Sequence, residues 1–327
     1  MTIATLDPGV ASSDSAFGHR LAPLGDPLEG AGFDEVYEAK IKPELIKCEA
    51  DRRNAMTAFL LAIAAGAMLV LIEFLATPEF THGAAAAPPA PLIVLTIVLA
   101  ALIGYWPLSR VAKQAKVGVI EALCEPLGVT YRPDGRDAPA WDEFLRLRLL
   151  PHPEDKTFKD FFSGRRGAVE FALCEATLTQ GSGKNRRTVF SGQLFCLGSP
   201  RRLTGTTVCL RNTGWFKSFE CPQGLKAVGL EDPRFNQHFA VFGSDQVEAR
   251  EILTPAFMEQ LDELESVYSG GHIRCAFDQA QLLIALEGPN RFEIGSMFTT
   301  LVDRSRVEGI ARNLDQVFHM IDEFHAA

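Results

Sequence analysis

The sequence lacks the short strings that announce common active sites: it has no G-x-S-x-G, H-E-x-x-H, G-x-G-x-x-G or EF-hand loop. No C-x-x-C pair occurs among its seven cysteines (Cys48, Cys124, Cys174, Cys196, Cys209, Cys221 and Cys275). An odd set without such a pair suits free thiols in a reducing compartment. Positive charge is in deficit, with a net charge of -9, which excludes a general nucleic-acid binder. The first 20 residues lack a basic stretch followed by an apolar one, so no cleavable signal peptide is expected. Gly181-Ser182-Gly183-Lys184 imitates the end of a phosphate loop. Leu178, however, stands where the loop needs its first glycine and Asn185 where it needs Ser or Thr, so the string reads as a hairpin tip. His152, His238, His272 and His319 are isolated, and neither a metal nor a cofactor is expected.

What the chain does have is an apolar hairpin, Ala55 to Leu108, around which everything else is arranged. The runs 55–76 and 89–108 each span roughly 30 Å as a helix at about 1.5 Å per residue. The intervening linker, rich in Pro and Ala, is too short to be a domain. Lys40, Lys42, Lys47, Arg52 and Arg53 precede the first run, Arg110, Lys113 and Lys116 follow the second, and the linker has no Lys or Arg. The positive-inside rule then puts both flanks in the cytoplasm, with Tyr105 and Trp106 at the inner interface. The reading is a multi-pass protein of a bacterial inner membrane with both termini cytoplasmic. No Asp, Lys, Arg or His lies mid-span, which argues against a transporter. Ala58, Ala62 and Gly66, like Thr96, Ala100 and Gly104, are spaced by four, so the two helices pack on each other or form the seam of a homo-oligomer.

Residues 1–32 show no apolar period and read as a disordered tail. Segment 33–54 carries Phe33, Val36, Tyr37, Ile41, Leu45 and Ile46 at helical spacing, with Pro43 as a kink or break. After the hairpin, 109–153 reads as a helical connector ending at Leu149-Leu150-Pro151-His152-Pro153, and 154–327 as a cytosolic domain. There 167–179, 187–197 and 203–210 are strand candidates. Ile273, Cys275 and Phe277 alternate with polar neighbours, and Leu282, Ile284 and Leu286 repeat the pattern. Asp245-x-x-Glu248 and Thr254-Pro255 open helices, and Ser305-x-x-Glu308 opens a last one whose 3,4 spacing suits a coiled-coil seam or packing on the sheet. The fold class is α+β: a transmembrane hairpin, then an antiparallel meander with flanking helices.

Charge is segregated along that domain. Between Lys156 and Lys217 eleven Lys and Arg face three acids, whereas between Glu220 and Glu287 twelve acids face four bases. The pairs Arg165-Arg166, Arg186-Arg187 and Arg201-Arg202 fall at turns or strand ends and are the candidate binding residues for anionic headgroups. Ordinary solvated strand ends would look the same.

Phe33-Asp-Glu-Val-Tyr37 with Ile41-Lys-Pro43, the two spans, Phe190-Ser-Gly192, Val228-Gly-Leu-Glu-Asp-Pro-Arg-Phe235 and Ser244-Asp-Gln-Val-Glu-Ala-Arg250-Glu-Ile-Leu-Thr254-Pro255 together resemble an uncharacterised bacterial membrane-protein family, domain of unknown function 3137. The resemblance implies a two-span anchor with a cytosolic α+β domain and implies no activity. Its strings draw attention to Glu231, Asp232, Asp245 and Arg250 as a candidate cluster, which helix caps and surface charges explain equally well. The function expected is a membrane-anchored binding or scaffold module that engages a protein partner or anionic lipid, with oligomerisation possible. The alternatives are a tethered enzyme using Asp232, Asp245, Arg250 and His238, and an accessory subunit of a membrane complex.

Overall fold

A computed structural model describes residues 31–75, 90–199, 203–211, 222–267 and 272–326. Residues 1–30 of the expected N-terminal tail, the linker between the apolar runs and the pair Arg201-Arg202 lie outside the described residues, while 31 and 32 already belong to the first helix.

Two long helices stand against each other. The first begins as α1 (Ala31–Val36), passes through a π-helical turn, Tyr37–Ile41, and continues as α2 (Lys42–Leu75). Pro43 does not end the helix: it follows directly on the π-helical turn, where the regular i→i−4 ladder is already interrupted, so the expected kink or break appears as that local irregularity. The second, α3 (Ala90–Cys124), carries Pro107 inside it. Both are long and apolar enough to cross a membrane, and their apolar stretches are almost wholly exposed. The small residues face inward within the pair: a Cβ on Gly66 would stand 2.6 Å from the Ala100 Cβ, and one on Gly104 would stand 3.0 Å from the Phe59 ring and 3.1 Å from the Ala62 Cβ. These rows therefore serve the intramolecular contact. Thr96 Oγ1 donates to Glu73 Oε1 at 2.9 Å across the same seam.

Beyond the apolar stretches both helices lie on a nine-stranded antiparallel sheet in the order β1-β2-β3-β4-β9-β8-β5-β7-β6. The strands are β1 (Thr130–Gly135), β2 (Asp155–Arg166), β3 (Val169–Gln180), β4 (Arg187–Gly198), β5 (Thr206–Arg211), β6 (Lys226–Ala227), β7 (Phe239–Gly243), β8 (Ile273–Asp278) and β9 (Gln281–Glu287). β1 to β4 form an antiparallel meander, of which β3 and β4 were expected and β1 and β2 were not, whereas β4 pairs with β9, and β5, expected to follow β4 directly, lies between β8 and β7. At the β4–β9 contact a Cβ on Gly192 would lie 2.0 Å from the Leu286 carbonyl, so only glycine lets the two backbones approach.

One face of the sheet packs against Phe33, Tyr37, Ile41 and Leu45, the lower turns of α3 and the inward residues of α8 (Arg304–Ala326), namely Val307, Ile310, Leu314, Val317 and Ile321. The C-terminal helix thus spends its apolar row on this chain's own sheet. Its cap is Asp303, which accepts from the Ser305 N–H at 3.0 Å, two residues earlier than the Ser-x-x-Glu spacing suggests. The other face is covered by α4 (Trp141–Arg146) and Leu147, Leu149 and Leu150. Under that cover Arg274 is completely buried, donating to the Leu149 carbonyl at 2.7 Å and ion-paired with Glu287. Three short helices complete the domain: α5 (Pro233–His238), α6 (Gln246–Ile252) and α7 (Pro255–Val267).

Candidate functional site at the root of the helical hairpin

β2 is irregular at one point. Lys159 pairs with Glu175 but Phe162 pairs with Leu173, and within this bulge Asp160 adopts a left-handed backbone, φ 51°. A bulge of this kind re-aims a side chain. Asp160, almost fully buried, accepts from the Tyr131 hydroxyl at 2.6 Å and from Lys116 Nζ, on α3, at 2.7 Å. The same ammonium donates to Glu293 at 3.2 Å. Glu175 stands beside them on β3 and accepts from the Arg291 N–H at 2.8 Å through one oxygen, while its other oxygen is buried without a hydrogen-bond partner.

The charges follow from this geometry. Burial pushes the Glu175 carboxyl up to about 7; Asp160 nearby adds to the rise, and the Arg291 N–H and Lys116 oppose it. Burial works against the charge on Lys116, yet Asp160 and Glu293 more than offset it and the pKa is raised. Burial and Asp160 likewise raise the Tyr131 phenol far above its ordinary value. Oxygens of Asp160, Glu175 and Glu293 lie within 4.8 Å of one another, a hard-oxygen set that could hold a cation. The Lys116 ammonium already stands against Asp160 and Glu293, so this chain supplies the countercharge itself.

Above the network opens a cleft of about 530 Å³, within the usual size of a small-molecule site. Its walls come from three separate parts of the chain: Tyr105 to Val117 on α3, the β1–β2 edge with Asp134 and Lys159, and the loop 293–298. Polar and apolar surfaces are mixed, Lys113, Lys116 and Lys159 lining it together with Tyr105, Met297 and Phe298. Lys113 is ion-paired with Asp134, while Lys159 is exposed and forms no ion pair among the described residues. The loop is stapled to α2. Glu49 accepts from Arg52 at 2.7 and 2.8 Å and from the Leu301 N–H at 3.0 Å, and Arg52 also donates to the Met297 carbonyl at 3.0 Å. The Arg52 guanidinium holds the Glu49 carboxyl down at about 2.

The two basic pairs among the described residues are not gathered at one end of the sheet. Arg165 pairs with Glu170, and Arg166 grips Asp322 through two bonds of 2.7 and 2.5 Å, at the end of β2 remote from the cleft. Arg186 meets Asp155 at 2.5 Å and Arg187 reaches Gln180 at 3.5 Å, at the end nearer the cleft. Of the acidic candidates, Asp232 caps α5, accepting from the Arg234 N–H at 2.8 Å and the Phe235 N–H at 3.3 Å. Asp245 caps α6 through the Val247 and Glu248 N–H groups at 2.8 and 3.2 Å. Arg250 reaches the Gly229 carbonyl at 3.3 Å, and Glu231 is exposed. Glu248 does not close the box on Asp245; it takes the Thr204 and Gly205 N–H groups at 2.8 and 2.7 Å. His238 faces Asp262 at 3.6 Å.

The residues that line the cleft floor had not been singled out, although one local sign was present. Phe171 and Leu173 point into the helix-facing core, and Glu175 occupies the next position of the same alternation. A carboxylate on an inward strand position needs a partner.

Residues 188–326 match the family described as Protein of unknown function (DUF3137). The resemblance read from the sequence is borne out over that span, which holds the loop 293–298 and Glu293 but neither long helix. The DUF3137 match thus supplies one wall of the cleft and no activity. No curated protein matches the chain. One solved structure, titled "crystal structure of the mycobacterial trehalose monomycolate transport factor A, TtfA", overlays with a TM-score of 0.30 at 12% identity, covering 62% of this chain and 92% of that one. A likeness of that size carries no argument about fold or function.

Proposed function

We propose that this protein is a membrane-anchored binding module that holds the anionic end of an amphiphile in the cleft at the root of its helical hairpin. In this reading α2 and α3 cross a bacterial inner membrane and both flanks are cytoplasmic. The cleft then opens where α3 leaves the bilayer. The observation that carries the reading is the composition of that cleft: Tyr105, Met297 and Phe298 line it together with Lys113, Lys116 and Lys159, in a volume of about 530 Å³. An ammonium has three N–H donors, and Asp160 and Glu293 occupy two on Lys116, which leaves one to offer with those of Lys159. Arg186 and Arg187, on the same end of the sheet, would add to the attraction for an anionic surface by about 1 kcal/mol each.

The test is native mass spectrometry of the full-length protein released from anionic lipid nanodiscs, beside a Lys113→Glu/Lys159→Glu variant. A bound anionic lipid that the variant loses supports the reading. Equal retention by both proteins, or bare protein in both, refutes it. Alkaline phosphatase fused after Gly83 should be active and after Ala327 inactive; the reverse overturns the orientation.

A further inference from the structure

We infer that the loop 294–301 is itself seated in the membrane interface, with Phe298 as its inserted side chain, so that the DUF3137 region touches lipid directly as well as through its anchor. This rests on the hairpin crossing the membrane; Phe298 also lines the cleft proposed above, but its exposure and its contact with Phe59 do not depend on what the cleft holds. Apart from residues of the two long helices, only Val247 and Phe298 are exposed large hydrophobics among the described residues, and Phe298 is 60% exposed. Its ring meets that of Phe59 edge-on at 5.9 Å. Phe59 lies six residues past Arg53, about 9 Å farther along the helix axis, and faces Gly104 on the other helix. The next residues, Tyr105 and Trp106, are exposed, with the Arg110 guanidinium 3.9 Å from the Trp106 ring. Phe298 therefore belongs to a tier of aromatic side chains with Arg53 and Arg110 on the side of the sheet domain, the order in which aromatic and basic residues settle at a bilayer interface.

The loop cannot swing Phe298 to another level without breaking its ties. Arg52 and Glu49 hold it on one side, and Arg306 donates to the Ser296 carbonyl at 3.0 Å on the other. A large exposed aromatic pinned beside a lipid-facing helix has the acyl–headgroup boundary as its neighbour.

The full-length protein in nanodiscs would carry p-benzoyl-phenylalanine in turn at Phe298, at Leu69, exposed within the apolar stretch of α2, and at Val247. Irradiation should give lipid adducts at 298 and 69 and none at 247. Lipid adducts at 69 without any at 298 would overturn this inference and leave the anchor standing. The absence of lipid at 69 would overturn the membrane-spanning hairpin as well. Crosslinking at 298 to a second copy of the chain, in place of lipid, would also refute the insertion.

Discussion

Replacing Glu175 by Gln should make the protein more stable at alkaline pH. The carboxyl titrates at about 7 in the fold against an ordinary 4.5, chiefly because it is buried, with Asp160 beside it. An acid whose folded value is raised binds more protons when folded than when unfolded. Its stabilising contribution is complete below pH 4.5 and is lost as pH rises through about 7. The difference corresponds to about 2.5 kcal/mol between pH 5 and pH 8.5. For a domain of this size that is about 5–10 °C in melting temperature. Glutamine keeps the acceptor for the Arg291 N–H and, like the protonated acid, presents a donor toward Asp160, but has no charge to desolvate. Intrinsic-fluorescence melting curves in mild detergent should show wild type and Glu175→Gln close together at pH 5, with the variant several degrees higher at pH 8.5. Parallel pH profiles, or a variant less stable at pH 8.5, would show that Glu175 is held ionised by its neighbours and that burial does not govern the cluster.

Glu49 tests the opposite sign. Arg52 holds it down at about 2, so its contribution is present above 4.5 and lost as pH falls through about 2; Glu49→Gln should cost about 2–3 kcal/mol at pH 7 and progressively less in acid melts. Gly66→Leu should destabilise the hairpin by about 1–3 kcal/mol in denaturant titrations followed by circular dichroism, and Ala100→Gly should recover part of the loss, because the new side chain must enter the space of Ala100. Maleimide should spare Cys124, Cys174, Cys209 and Cys275 until denaturant is added, since all four are buried and burial pushes Cys124 up to about 12; rapid labelling of the native protein would mean the sheet opens. Arg186→Glu/Arg187→Glu should change the melting temperature little, as both side chains are exposed, while weakening flotation with anionic vesicles; unchanged flotation would remove this turn from the membrane-facing surface.

The elements legible in the sequence are those whose reasons are local. The alternation at 273–278 and the apolar positions 282–286 report β8 and β9, which lie side by side, although both faces of these central strands are buried and even Arg274 lies under cover. Asp245 and Thr254-Pro255 begin helices where expected, each cap oxygen accepting an N–H two or three residues on. β2 was missed for an equally local reason. Its bulge puts Asp160 and Phe161 opposite one residue and breaks the period that would have revealed it. β1 falls inside the segment that reads as a helical connector, where Pro133 and Gly135 disguise it, yet it is the edge strand, where a proline lacking its N–H can be accommodated.

Pairing is a different matter. A period states which face a strand buries and nothing about its neighbour, so the β4–β9 contact and the position of β5 could not be read from alternation. The cleft needs that information, since its walls lie some 190 positions apart along the chain between Tyr105 and Phe298. Even so, two local violations point at it. Lys116 stands one turn before the fully buried Ile120, beside the inward row Val111, Ala115 and Val119, and Glu175 follows Leu173 on an inward strand position. Each charge would be costly alone in an apolar layer. A cation and an acid that interrupt the buried faces of different elements can be reconciled when the elements pack together. Here Asp160, aimed inward by the bulge, connects them, accepting from Lys116 while standing beside Glu175.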